Sequence, residues 1–149
     1  MIRVIPVLAL TLGACSVVTS PGVPFRHVGS GSFSGLTQSQ VRIVRDSAAW
    51  ESARRQLQFA ADDAARAIDF ASEAVVIVAL GTRPTAGYGV QVDSLRNTGG
   101  AYEVFAVEVT PGTCATAQVV TSPFAVIAVP RDVQSVAATW SSRARSSCG

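Results

Sequence analysis

Hydrophobic and polar positions divide the chain into a leading apolar run, a stretch of small residues, and a body of short apolar segments separated by turn residues. In the body, Val41 and Ile43 alternate with Arg42 and predict a short strand that ends at Asp46 and Ser47, either of which can cap a helix. Trp50, Ala53 and Leu57 then recur at helical spacing, with Glu51, Arg54, Arg55 and Gln58 on the other side, so an amphipathic helix follows. The alanine-rich residues 60–67, which include Asp62 and Asp63, extend or restart it. Residues 73–80 contain Val75-Val76-Ile77-Val78, a β-branched run before Gly81 that predicts a buried strand at the centre of the core. Tyr88, Val90 and Val92 alternate with Gln91 and Asp93, residues 97–100 supply a turn, and Phe105, Val107 and Val109 share one face of the next segment, which together read as a hairpin. Residues 118–121 and 124–129 add two short strands, divided by Ser122-Pro123 and stopped by Pro130. Val136, Ala138 and Trp140 favour a last strand, although Val133, Val136 and Trp140 also fit helical spacing. The expected fold is α+β and mainly β: one compact domain over residues 36–149, of about six antiparallel strands with one helix after the first.

The leading run, Val4 to Leu12, follows Arg3 and ends in Leu12-Gly13-Ala14-Cys15. This pattern resembles a bacterial lipobox, in which small residues precede a cysteine that becomes the first residue of the mature protein. On that reading residues 1–14 are a cleaved signal peptide, and Cys15 carries acyl chains such as palmitate and anchors the protein to a membrane from outside the cytoplasm. A spanning helix needs about 20 apolar residues, and Ser16, Thr19, Ser20 and Pro21 end this run early. Residues 15–35 are rich in Ser, Gly and Pro and are expected to be a flexible tether. Ser16 after the cysteine favours the outer membrane in a cell with two membranes.

Composition narrows the partners. Net charge is +2, and removing Arg3 with the leader leaves 11 basic against 10 acidic residues, far from the clustered basic face that nucleic acid demands. With Cys15 lipidated, Cys114 and Cys148 remain in an oxidising compartment and are expected to pair, two free thiols being the plain alternative. Two cysteines and a distant His27 do not make a tetrahedral zinc site, so neither metal nor cofactor is expected.

Catalytic constellations are equally thin. His27 is the single histidine and falls in the expected tether, where nothing orients it toward a nucleophile. Asp62 and Asp63 are adjacent and point about 100° apart on a helix, and Glu103 and Glu108 fall on opposite faces of their strand. The chain therefore reads as non-catalytic. One connection stands out: Gly81-Thr82-Arg83-Pro84-Thr85-Ala86-Gly87-Tyr88. Pro84 fixes φ and Gly87 permits positive φ, so the loop should be stiff. Ordinary turn chemistry with Tyr88 filling core explains the same residues. The functional alternative is a pre-organised surface, Arg83, Pro84, Thr85, Ala86, Gly87 and Tyr88, offered to a protein partner.

Several stretches together resemble a known family. They are Ser34-Gly35, Val41-Arg42-Ile43-Val44-Arg45-Asp46 leading to Trp50, Asp69-Phe70 before Glu73-Ala74-Val75-Val76, residues 80–88, and Ser122-Pro123-Phe124. They are similar to the C-terminal domain of the PrcB protease-complex subunit family, with Ala86 standing where glycine is usual. The resemblance implies a non-catalytic envelope lipoprotein that associates with a secreted or surface protease and supports its assembly or stability. Residues 84–88 also resemble the loop of chagasin-type cysteine-peptidase inhibitors, with Arg83 where that loop has Asn, which implies a direct inhibitor as the alternative. A purely structural envelope lipoprotein is the third reading.

Overall fold

The run Glu73–Ala79 is apolar at every position after the first because both of its faces are covered. The computed structural model describes residues 22–59 and 68–148. Within them the chain forms β1 (Arg26–Gly31), β2 (Gln40–Val44), α1 (Ser47–Gln56), β3 (Glu73–Ala79), β4 (Gly89–Asn97), β5 (Ala101–Thr110), β6 (Phe124–Pro130) and β7 (Ser135–Ala144). One sheet has the order β1-β6-β3-β2 and the other β4-β5-β7.

Three layers result. Ala74, Val76 and Val78 of β3 join Ala125, Ile127 and Val129 of β6 against Val90, Val92, Leu95, Tyr102, Val104 and Ala106 of the second sheet. On the other face, Val75 and Ile77 meet Trp50, Ala53 and Leu57 from α1 and its C-cap, with Phe124 and Val126. A strand buried on both faces loses the polar alternation of a half-exposed one, which is why β3 and β6 read as continuous hydrophobic runs.

The helix is set by its first cap. Asp46 has extended backbone and its carboxylate accepts a hydrogen bond from the Ala49 N–H at 2.8 Å, satisfying one orphan donor of the first turn. Arg54 and Arg55 in the last turn complement the helix dipole. The expected extension over residues 60–67 lies outside the described residues, as do the expected signal peptide and Cys15.

Three expectations are corrected. The expected tether does not reach residue 35: β1 pairs antiparallel with β6, Val28 is buried, and Gly22 and Val23 already bridge to Arg96 and Leu95 of β4. Its small residues are there for packing, since a Cβ on Gly31 would meet the Phe124 ring at 2.6 Å and one on Gly29 would collide with Phe59. The helix follows the strand expected at Val41 to Arg45, which β1 makes the second of the chain. Residues 118–121 are not a strand: Val119 and Val120 are exposed and only Thr121 bridges to a neighbour, Arg83. Lastly, the strands are not all antiparallel. After β5 the chain crosses to the other sheet for β6 and returns as β7, which therefore runs parallel to β5 over ten paired residues.

The hairpin forms as expected, closed by Asn97, whose side chain accepts from the Gly100 N–H at 2.8 Å. A bulge between Val92 and Ser94 shifts the inward set of β4 from Val90 and Val92 to Leu95.

At the hairpin end Tyr102, 2% exposed, donates to Asp132 at 2.8 Å. Burial first, and the Asp132 carboxylate second, push its phenol up to about 12. The unfolded phenol titrates near ~10, so its contribution to stability is complete below that pH and lost as pH rises through about 12. In a Tyr88→Phe chain, which leaves Tyr102 as the single tyrosine, phenolate absorbance should appear with a midpoint of about 12. Asp132→Asn should lower that midpoint while leaving it above the ordinary value, because burial remains. A midpoint at the ordinary value with the fold intact would contradict this environment.

Candidate functional site

Residues 81–88 connect β3 to β4, and their glycines and backbone groups dictate how they lie. Gly81 has φ +77°, and a Cβ there would come within 2.7–2.9 Å of three backbone atoms of Thr37, Gln38 and Ser39. Only glycine allows two backbones to pass so closely in this conformation. The Thr82 N–H then donates to the Thr37 carbonyl at 3.1 Å. On the opposite side Arg83 and Thr121 exchange backbone hydrogen bonds of 2.7 and 2.9 Å, and the Ala86 N–H donates to the Ala117 carbonyl at 3.0 Å. The Thr121 hydroxyl donates to the Thr85 carbonyl at 3.0 Å. Gly87, φ +89°, packs where a Cβ would strike Thr116 and Pro111. The loop is thus stitched to residues 37–39 on one side and 116–121 on the other, and the stiffness expected of it is a property of these bonds as much as of Pro84.

Arg83 is engaged inside the chain. Its Nε donates to Glu108 Oε1 at 2.7 Å, one Nη donates to the Thr82 carbonyl at 3.0 Å, and its guanidinium carbon lies 6.0 Å from the Tyr88 ring centre. Both charged side chains are about a quarter exposed, at 25% and 23%. Of residues 81–88 only Thr82 and Pro84 are exposed; Arg83, Thr85, Ala86, Gly87 and Tyr88 are half-buried. Beside them, Phe33 (49% exposed) bridges through its backbone to Ser122, next to Val119 and Val120 (43% and 63%). Three apolar side chains therefore stand open on the segments that flank the loop.

Sequence reasoning missed Glu108 as the partner of Arg83, although a signal was available. By period two, Glu108 shares the face of Tyr102, Val104 and Ala106, and a carboxylate on an apolar face demands a cation. A double-mutant cycle with Arg83→Met and Glu108→Gln should give a coupling of about 1–2 kcal/mol in urea unfolding, as expected for a half-buried, charge-assisted hydrogen bond. A coupling near zero would reduce the pair to a surface contact.

Cys114 and Cys148 are bonded, with Cα atoms 5.4 Å apart. This bond lies directly behind the loop, because residues 111–117 are the ones that Ala86 and Gly87 touch. The other candidates are dispersed. His27 is exposed on β1, edge-on to Phe25 at 5.3 Å between ring centres. Glu103 accepts from the Thr139 hydroxyl at 2.7 Å and lies 3.7 Å from Arg96, and Asp62 and Asp63 are outside the described residues. Among the described residues no three of His, Cys, Asp and Glu come together, and no helix is long and apolar enough to cross a membrane.

Comparison with known proteins adds one finding. No curated protein and no solved structure matches the chain. Residues 74–130 match the family model described as PrcB C-terminal, a span that takes in the loop, Glu108 and strands β4, β5 and β6 with nearly all of β3, but neither Cys148 nor β7. Over residues 74–130 the chain is similar to the PrcB C-terminal family.

Proposed function

We propose that this chain is a lipid-anchored, non-catalytic envelope protein whose domain binds a secreted or surface protease and stabilises or modulates it. The family match over residues 74–130 carries this reading, because it encloses the braced loop and the central strands that hold it. The Cys114–Cys148 bond is in keeping with an oxidising compartment. Pre-formed, hydrogen-bonded loops with adjacent exposed apolar side chains suit protein recognition, since little ordering remains to be done on binding. A cleft-entering inhibitor would need more of residues 83–88 in the open than Pro84.

If Cys15 is lipidated, the anchor sits close. Gly22, already bridged to β4, is seven residues from Cys15, which at full extension spans about 25 Å. The partner protease would then be held against the membrane surface rather than reached at the end of a long tether. The test is recovery of the chain from detergent-solubilised membranes after cross-linking. A peptidase should co-purify, and Cys15→Ala should release the chain from the membrane fraction. Repeated recovery without a peptidase overturns the reading, and inhibition of papain-like or serine peptidases by the chain alone would replace it with the inhibitor.

A further inference from the structure

A groove of about 890 Å³ opens at the end of the sandwich where β1 and β7 finish and β4 begins. Its lining has a one-sided charge: Arg143 and Arg145 contribute two guanidinium groups, and among the described residues no carboxylate lines it. Ser30, Ser32 and Gln91 add neutral polar groups, and Phe124 an apolar one. Arg143 reaches across β5 and donates to the Gln91 side chain on β4. The Arg145 side chain makes no hydrogen bond or ion pair among the described residues. The nearest carboxylate on β5, Glu108, is held by Arg83.

The backbone around the groove is also unsatisfied in one direction. β1 and β4 are the outer strands of their sheets. The outer edge of β4 is covered at Leu95 and Arg96 by Val23 and Gly22, but no described segment pairs with it between Gly89 and Ser94. An open strand edge is a template for an added strand. The remaining wall, residues 145–147, is fixed by the Arg145 N–H donating to the Thr110 carbonyl at 3.0 Å and by the disulfide at Cys148.

We infer that this groove grips an extended acidic segment of the partner polypeptide, added along the free half of the β4 edge with its carboxylates against Arg143 and Arg145. The inference rests on the reading of the chain as a protease-binding subunit and names the piece of the partner it holds. Edge pairing supplies affinity without sequence preference, and the two arginines select for carboxylates in a site whose described lining holds no competing acid. The disulfide is the brace of the arginine-bearing wall.

The probes are two fluorescein-labelled decapeptides of alternating Thr and Val, one with two Glu near its C-terminus and one with Gln in their place, titrated by fluorescence anisotropy into the full chain. The acidic peptide should bind about tenfold more tightly than its Gln counterpart, and the difference should shrink at high salt. Arg145→Gln, which breaks no hydrogen bond or ion pair among the described residues, should remove much of the difference, and Arg143→Gln with Arg145→Gln all of it. Reducing the disulfide should weaken binding of the acidic peptide. Equal binding of both peptides, or none, overturns the inference. So does binding of the chain to phosphatidylglycerol vesicles that depends on the same two arginines while the peptides stay unbound, since that assigns the patch to a lipid surface. A peptidase that co-purifies equally well with the doubly substituted chain would sink the groove and leave the protease-binding reading standing.

Discussion

Gly81→Ala should destabilise the domain by about 3–5 kcal/mol, the sum of a left-handed backbone penalty and a backbone collision. The chain passes Gly81 at φ +77°, and the added methyl would lie 2.7 Å from the Gln38 carbonyl carbon, 2.8 Å from the Ser39 nitrogen and 2.9 Å from the Thr37 carbonyl oxygen. None of these atoms belongs to a side chain that can rotate away. Relief requires residues 37–39 and 81–83 to separate, which breaks the Thr82 to Thr37 hydrogen bond and lifts the entry to β2. Gly99 provides the control, since it has nearly the same φ, +76°, with nothing near its missing Cβ. Gly99→Ala should therefore cost only about 1 kcal/mol. Urea midpoints of the two variants separate steric exclusion from conformational preference. Equal midpoints would mean that the approach of the two backbones at Gly81 is loose in solution.

Burial, caps and other glycines explain what could be read from the sequence and what could not. β3 and β6 were legible because burial on two faces removes every polar residue from them after Glu73. α1 was legible because Asp46 stands four residues ahead of Trp50, the first residue of a helical stripe completed by Ala53 and Leu57. β1 was not, because Gly29 and Gly31 look like a linker until Phe59 and Phe124 are seen lying where their side chains would be. Hydrophobic patterning records which face a residue presents and is silent about which strand lies beside it, so the parallel pairing of β5 with β7 left no trace. The candidate loop stood out through Pro84 and Gly87, whose types are set by local backbone geometry. Its electrostatics did not: Arg83 looked like a group offered to a partner, and only the packing of the sheets reveals that Glu108 has taken it.

Removal of the Cys114–Cys148 bond should cost about 3–4 kcal/mol and lower Tm by roughly 10–20 °C. The bond closes a loop of 34 residues, and loop closure restricts the unfolded chain by an amount that grows with the logarithm of loop length. Its position gives the loss a direction. β5 and β7 pair in register up to Thr110 opposite Ala144, and each cysteine lies four residues beyond its strand, so the disulfide clamps the open end of this parallel pair. β7 is an edge strand whose residues are mostly exposed. Little burial resists its fraying once the clamp is gone. In Cys114→Ser with Cys148→Ser, amides of residues 141–145 should lose hydrogen-exchange protection first, while those of β3 and β6 follow only the global change. The single substitution Cys114→Ser should match the double variant to within about 0.5 kcal/mol, because either one abolishes the closure. If protection at residues 141–145 stayed equal to that of β3 after the bond is removed, the β5–β7 pairing alone would hold this end, and the disulfide would not brace the arginine wall of the groove.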